Sequence, residues 1–194
     1  MARKGSKEKI RCSWVPAGHV LYEHYHDTEW GRPVKDDRLF FEFLVLESAQ
    51  AGLSWETILK RREGYRSAFA NFSAEKIARF GARDVARLMQ DNRIIRHRLK
   101  IESTITNAQV FLTIQREWGS FSKYVRSFVD GTVEHRSGKK LRTTSPAATL
   151  LSVDLKGRGF QFFGPVIAYA FMQATGLVDD HSPNCFRYRA KPNR

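Results

Sequence analysis

Apolar residues recur at three- and four-residue intervals along most of the chain, the spacing that lines one face of an α-helix. Asp36 and Asp37 precede Phe40, Phe43, Leu44 and Leu46, so the two acids read as cap candidates for a helix facing a core. Ser54 reads as the cap of the next helix, with Trp55, Ile58 and Leu59 on its apolar stripe and Lys60, Arg61 and Arg62 on the other side. Ser73 opens a short helix predicted to reach Phe80 and stop at Gly81, and residues 82–90 repeat the pattern with Val85, Leu88 and Met89. A longer helix is predicted from about Arg96 to Trp118, ended by Gly119, followed by a short one from Phe121 to Val129. Ser145-Pro146 pairs a cap residue with proline at the first helical position, and that helix is predicted to end at Gly157 or Gly159. A last apolar helix runs from about Gly164 to Thr175, closed by Gly176. The polar stretch from Asp130 to Thr144 reads as an exposed loop or small hairpin. No run alternates as a strand does. The pattern predicts one all-α domain over residues 11–186, between a flexible basic arm (1–10) and a basic tail (187–194), with disorder setting in from Phe186.

Composition narrows the class. At 194 residues, 42% hydrophobic and 12% aromatic, the chain can bury a core and is not of disordered type. Lys and Arg number 33 against 20 acids, a net charge of +13. Such an excess suits a polyanion, nucleic acid or an anionic membrane, although a well-solvated surface accounts for it equally. No apolar run approaches the roughly 20 residues that span a bilayer, and the basic segment Met1 to Arg11 is followed by no apolar stretch of a secretory signal. The expectation is a cytoplasmic protein with no membrane partner. Cys12 and Cys185 are the only cysteines, and in a reducing compartment they do not form a disulfide.

With His26 and His181, those cysteines form a candidate set of four metal ligands. Two thiolates and two neutral imidazoles neutralise a zinc dication and suit its tetrahedral preference. Three residues separate His181 from Cys185, and thirteen separate Cys12 from His26. A metal there would staple the two ends of the chain together. Buried free cysteines and surface histidines are the plainer reading of the spacing alone. Asp27 and Asp180 stand directly beside the two histidines, where either could orient a ring through a hydrogen bond.

Four blocks of sequence carry a resemblance: Tyr25-His26-Asp27-Thr28-Glu29-Trp30-Gly31; Leu46-Glu47-Ser48-Ala49-Gln50-Ala51-Gly52-Leu53-Ser54-Trp55; Ile94-Ile95-Arg96-His97-Arg98; and Phe171-Met172-Gln173-Ala174 with Gly176-Leu177-Val178 and Asp180-His181. Together they resemble the 3-methyladenine DNA glycosylase I family, over about Arg11 to Cys185. The resemblance implies an all-α helix-hairpin-helix glycosylase that flips N3-alkylated adenine from double-stranded DNA and cuts its glycosidic bond. It also implies a structural zinc held by Cys12, His26, His181 and Cys185. Such a site is closed to water and therefore not the catalyst.

The same resemblance assigns base recognition to Glu47 and pocket walls to Tyr25 and Trp55, with Trp14, Tyr22 and Trp30 lining or supporting them. Glu47 is expected to serve the chemistry as well, by stabilising the oxocarbenium-like sugar. The chemistry fits these residue types. N3 methylation makes adenine cationic, aromatic faces attract a desolvated cation by about 0.5–2 kcal/mol each, and a carboxylate accepts from the exocyclic amine. Read without the family, Glu47 is an acid paired with an arginine such as Arg96, and the tryptophans are core. The family usually carries Gly at the position of Ser48 and often a smaller residue at Pro165, which leaves the lesion range open.

Residues 155–165 resemble the hairpin of that motif, in which Gly157, Gly159 and Gly164 allow backbone N–H groups to approach phosphate while Lys156 and Arg158 add charge. A Gly-rich turn between packed helices is the plainer alternative. Val166 to Met172 contain neither an acid nor a lysine, so a monofunctional enzyme without lyase activity is expected, limited to lesions already primed to leave. A monomer is the default for an enzyme that grips one duplex. The competing reading of another class is a zinc-stapled protein that binds lesions without excising them.

Overall fold

A computed structural model describes residues 9–131, 133–135 and 142–189. The arm at 1–8 and the tail at 190–194 lie outside the described residues. Ten α-helices account for nearly all regular structure among the described residues: α1 (Val20–Thr28), α2 (Asp37–Gln50), α3 (Trp55–Leu59), α4 (Arg62–Ala68), α5 (Ala74–Ile77), α6 (Ala82–Gln90), α7 (Arg98–Trp118), α8 (Phe121–Ser127), α9 (Pro146–Gly157) and α10 (Pro165–Ala174). The all-α class expected from the periodicity is the class observed. None of these helices is long and apolar enough to cross a membrane.

Local chemistry accounts for most helix starts. The side chains of Asp36, Ser54, Ser73, Ser120 and Ser145 each accept a backbone N–H in the first turn of the helix that follows, satisfying donors that have no partner within the helix. Gly119 ends α7 at φ 76°, a left-handed cap that favours glycine. The long helix α7 packs against α2, α5, α6 and α8, while α9 and α10 pack on each other and α10 reaches α2. Ring contacts fill the centre, with Phe111 stacked on Phe121 at 4.4 Å and Phe40 against Phe171 at 5.9 Å.

Several features depart from the sequence pattern. Neither α1, which carries Tyr25 and His26, nor α4 was among the predicted elements. The segment expected to be a loop or hairpin instead supplies β1 (Glu134–His135), which pairs in parallel with β2 (Val178–Asp179) far along the chain. The ends of the domain also meet: the Phe186 N–H donates to the Ile10 carbonyl at 2.9 Å. Phe186 is thus tied to the domain, contrary to the expectation that order is lost there.

Candidate active site and metal centre

The four candidate ligands converge. Cys12 is fixed just before α1, His26 sits in its last turn, and His181 and Cys185 follow β2. All four are buried, and their donor atoms lie within 4.8 Å of one another. Cys12 Sγ lies 3.5 Å from His181 Nδ1, and Cys185 Sγ lies 3.4 Å from His26 Nε2 and 3.6 Å from His181 Nδ1. Tetrahedral zinc, with bonds of about 2.3 Å to sulfur and about 2.0 Å to nitrogen, would separate S from N by about 3.5 Å. The donor set therefore fits a tetrahedral dication in both chemistry and spacing, and the buried cluster could hold a metal ion.

The surroundings hold the ligands in place. Asp27 Oδ1 is 2.9 Å from His26 Nδ1, which leaves Nε2 to face the cluster. The carboxylate is clamped from behind by Arg11, whose Nε and Nη2 each donate at 2.9 Å. Burial opposes ionisation of Asp27, but the Arg11 guanidinium and the His26 ring outweigh it and hold its pKa at about 2. Arg11 is a contributor that the ligand spacing did not announce. The other candidate orienter is corrected: Asp180 accepts from Tyr169 Oη at 2.8 Å and Gln173 Nε2 at 2.6 Å rather than from the His181 ring. The ring of His181 is set instead by packing. Trp30 meets it edge-on at 4.7 Å, and Gly31, at φ 72°, leaves space that a Cβ would fill to within 2.9 Å of His181 Nε2.

The metal cluster and the aromatic cluster share one helix. Tyr25 adjoins His26 on α1, and Tyr22 lies one turn earlier on the same face. The ring of Tyr25 is 5.3 Å from Trp55, the first residue of α3, and 6.4 Å from Trp14. Tyr22 Oη accepts the Glu56 N–H at 3.1 Å, tying α1 to the start of α3. Trp14 packs on Tyr22 and on His26, bridging the two clusters. Trp30 stacks on His26 at 6.0 Å and abuts Trp14, which puts it with the metal ligands, behind the other rings.

Glu47, in the last turn of α2, is 3% exposed. The arginine partner considered for it is absent: its Oε2 is buried with no hydrogen-bond partner among the described residues. Burial alone raises its pKa to about 8. It stands close enough to Tyr25 that its charge, after burial itself, opposes ionisation of the phenol. The indole Nε1 atoms of Trp14 and Trp55 are also buried without partners. Folded proteins seldom leave so many buried polar atoms unpaired, and these three belong to residues of one aromatic neighbourhood. An acceptor and two donors left unsatisfied there can hold a flat, hydrogen-bonding ligand. Ser48, whose Oγ is also buried without a partner among the described residues, borders a small hollow with Tyr65, Lys100 and Thr104.

The expected hairpin joins α9 to α10. Gly159 has φ 93°, Gly164 caps α10, and Pro165 occupies the first helical turn, where its missing N–H costs nothing. Lys156 and Gly157 end α9 on an exposed turn. Arg158 is corrected as a cation free for phosphate. It donates to Glu117 Oε2 at 2.6 Å and Asp154 Oδ2 at 2.7 Å and lies over the Tyr124 ring, so two carboxylates already neutralise it. The (i, i+4) spacing of Asp154 and Arg158 was a legible signal of that pairing, and Glu117 was not.

Comparison with known proteins agrees with this architecture. A family model described as methyladenine glycosylase matches residues 14–188. The chain is 45% identical over 181 residues to DNA-3-methyladenine glycosylase 1 of Escherichia coli K12, covering 92% of this chain and 96% of that one. A crystal structure of a 3-methyladenine DNA glycosylase I superimposes with a TM-score of 0.89 at 46% identity, over 93% of this chain and all of the other. The Staphylococcus aureus glycosylase I, solved to explain its recognition of 3-methyladenine, gives a TM-score of 0.87 at 41% identity, over 95% and 97% of the two chains. On the extent of these matches and the shared fold, the chain belongs to the methyladenine glycosylase family.

Proposed function

We propose that this chain is a DNA repair N-glycosylase that takes N3-methylated adenine out of the duplex and hydrolyses its bond to the sugar. The observation that carries the reading is the buried, unpaired Glu47 carboxyl, in the same aromatic neighbourhood as indole N–H groups that also lack partners. A cationic adenine answers each of these deficits. Its exocyclic amine donates to Glu47, its ring nitrogens accept from Trp14 or Trp55, and its charge lies against the faces of Tyr25 and Trp55. Binding the cation favours the ionised form of Glu47, which burial otherwise disfavours. Tyr22 and Trp30 support these walls.

The reaction needs little more. Water adds at C1′ and releases one proton to solvent, the N9–C1′ bond breaks, and the bonding electrons pass to the already cationic purine, which leaves neutral. The Glu47 carboxylate stabilises the positive charge that develops on the sugar. No lysine or acid lies between Val166 and Met172 to form a covalent intermediate, so strand cleavage is not part of the cycle. Lys156, Gly157, Gly159 and Gly164 would face the DNA backbone, with N–H groups and one free cation toward phosphate. Zinc would be held by Cys12, His26, His181 and Cys185, where it supplies a cross-link rather than a reactive water. It would keep α1, and hence Tyr25 and Tyr22, in register with α3. A monomer that grips one duplex is sufficient for this chemistry.

Incubation with methylated genomic DNA, followed by chromatography of the released bases, tests the reading. Free 3-methyladenine should appear while the strands stay intact. Binding to methylated DNA without base release would instead favour a lesion sensor, and efficient removal of uracil or hypoxanthine would overturn the dependence on a cationic base.

A further inference from the structure

The turn between α9 and α10 holds a side chain that its own conformation disfavours. Phe162 has φ 53°, in the left-handed region where an aromatic residue is strained, and yet the residue is 37% exposed. Neither local propensity nor burial of the ring explains such a residue. Strain of this kind persists where surrounding structure imposes it, and it clusters at functional positions.

The imposing contacts come from two buried side chains. Asn107 lies in the middle of α7 and is 4% exposed. Its Nδ2 donates to the Gln161 carbonyl at 3.0 Å, and its Oδ1 accepts the Gln161 N–H at 2.8 Å. The amide thus pairs with both main-chain groups of one residue, as a neighbouring strand would. On the other side, Ser152 Oγ donates to the Phe163 carbonyl at 2.7 Å. Phe162 is held between these anchors. Its ring meets that of His97 at 6.4 Å and 78°, and His97 is itself fixed, since its Nδ1 accepts the Lys100 N–H as the cap of α7.

We infer that Asn107 is a positioning residue: by pairing with both main-chain groups of Gln161 it holds Phe162 in the exposed, left-handed conformation from which its ring packs against DNA. The inference rests on the proposed glycosylase reading, which supplies the partner and sets the hairpin against the duplex. Lys156 at the end of α9, exposed and unpaired among the described residues, and the exposed Arg96 beside His97 give this surface the charge a polyanion needs. An aromatic face adds sequence-independent contact to a sugar or base without adding charge.

The test compares Asn107→Ala, Ser152→Ala, Phe162→Gly and Phe162→Tyr by three measurements: affinity for an undamaged duplex, affinity for free 3-methyladenine, and single-turnover excision. Phe162→Gly removes the ring while relieving the strain, so it should fold with an undiminished Tm. It should weaken duplex binding by about tenfold. The slope of affinity against salt should not change, because no ionic contact is lost. Free-base affinity should stay at the wild-type value, and Phe162→Tyr should restore duplex binding. Asn107→Ala and Ser152→Ala should shift duplex affinity in the same direction. Wild-type duplex affinity in Phe162→Gly overturns the inference, as does a parallel loss of free-base binding. Failure of the wild-type protein to release base from methylated DNA would overturn the glycosylase reading instead, and duplex affinity remains measurable in that case.

Discussion

The buried Glu47 gives the sharpest quantitative prediction. Its pKa stands at about 8, against 4.5 for a solvated glutamate, because burial removes water and no cation replaces it. Ionising it in the free protein therefore costs on the order of 5 kcal/mol. The unfolded chain loses this proton near pH 4.5 and the folded chain keeps it to about 8. Between those values the unfolded state binds fewer protons, so this group's contribution makes stability fall as pH rises, levelling off above 8. Glu47→Gln removes the titration and keeps the shape. Thermal unfolding of both proteins from pH 5 to 9 should show curves that diverge as pH rises, the variant gaining by up to roughly 4 kcal/mol relative to its own offset at pH 5. Groups common to both proteins cancel in the difference. Curves that run parallel across this range would mean that Glu47 is solvated or paired in solution, and the recognition argument would lose its foundation. The same variant should lose affinity for 3-methyladenine, so that it gains stability at the expense of function.

Three further outcomes follow from the geometry. The kcat/KM for excision should rise with pH and level off near 8, the free-enzyme pKa of Glu47, and a flat profile in the wild type would exclude the carboxylate as the working form. Gly31→Ala should lower metal content and Tm, because its Cβ would press on the His181 ring; Gly18→Ala, at φ 77° with open space around it, bears only the conformational cost and should keep its metal. Lys156→Ala should weaken binding to all duplex sequences alike and reduce the salt slope by about 0.9, a loss not expected of Arg158→Ala because Glu117 and Asp154 already neutralise that guanidinium.

Helix positions were largely legible because caps and apolar spacing act within one or two turns. Asp36, Ser54, Ser73 and Ser145 opened the helices their side chains announced, and residues 82–90 formed a helix with the expected bounds. The four metal-ligand candidates were legible too, but through the family resemblance rather than through spacing, which by itself favours buried free cysteines and surface histidines. The tertiary structure decided what depends on partners distant in sequence. The segment Ala70–Phe72 adopts three consecutive residues at positive φ, a conformation that local preference favours only at Asn71. The pairing of β1 with β2, the clamp of Arg11 on Asp27, the loss of Arg158 to Glu117 and, among the described residues, the absence of any cation beside Glu47 all arise the same way. A residue's neighbours along the chain set its backbone preference, but its charge state depends on what packs against it. Glu47 is an ordinary glutamate in the sequence and becomes a reluctant anion only when the folded helices exclude water and bring no arginine to replace it.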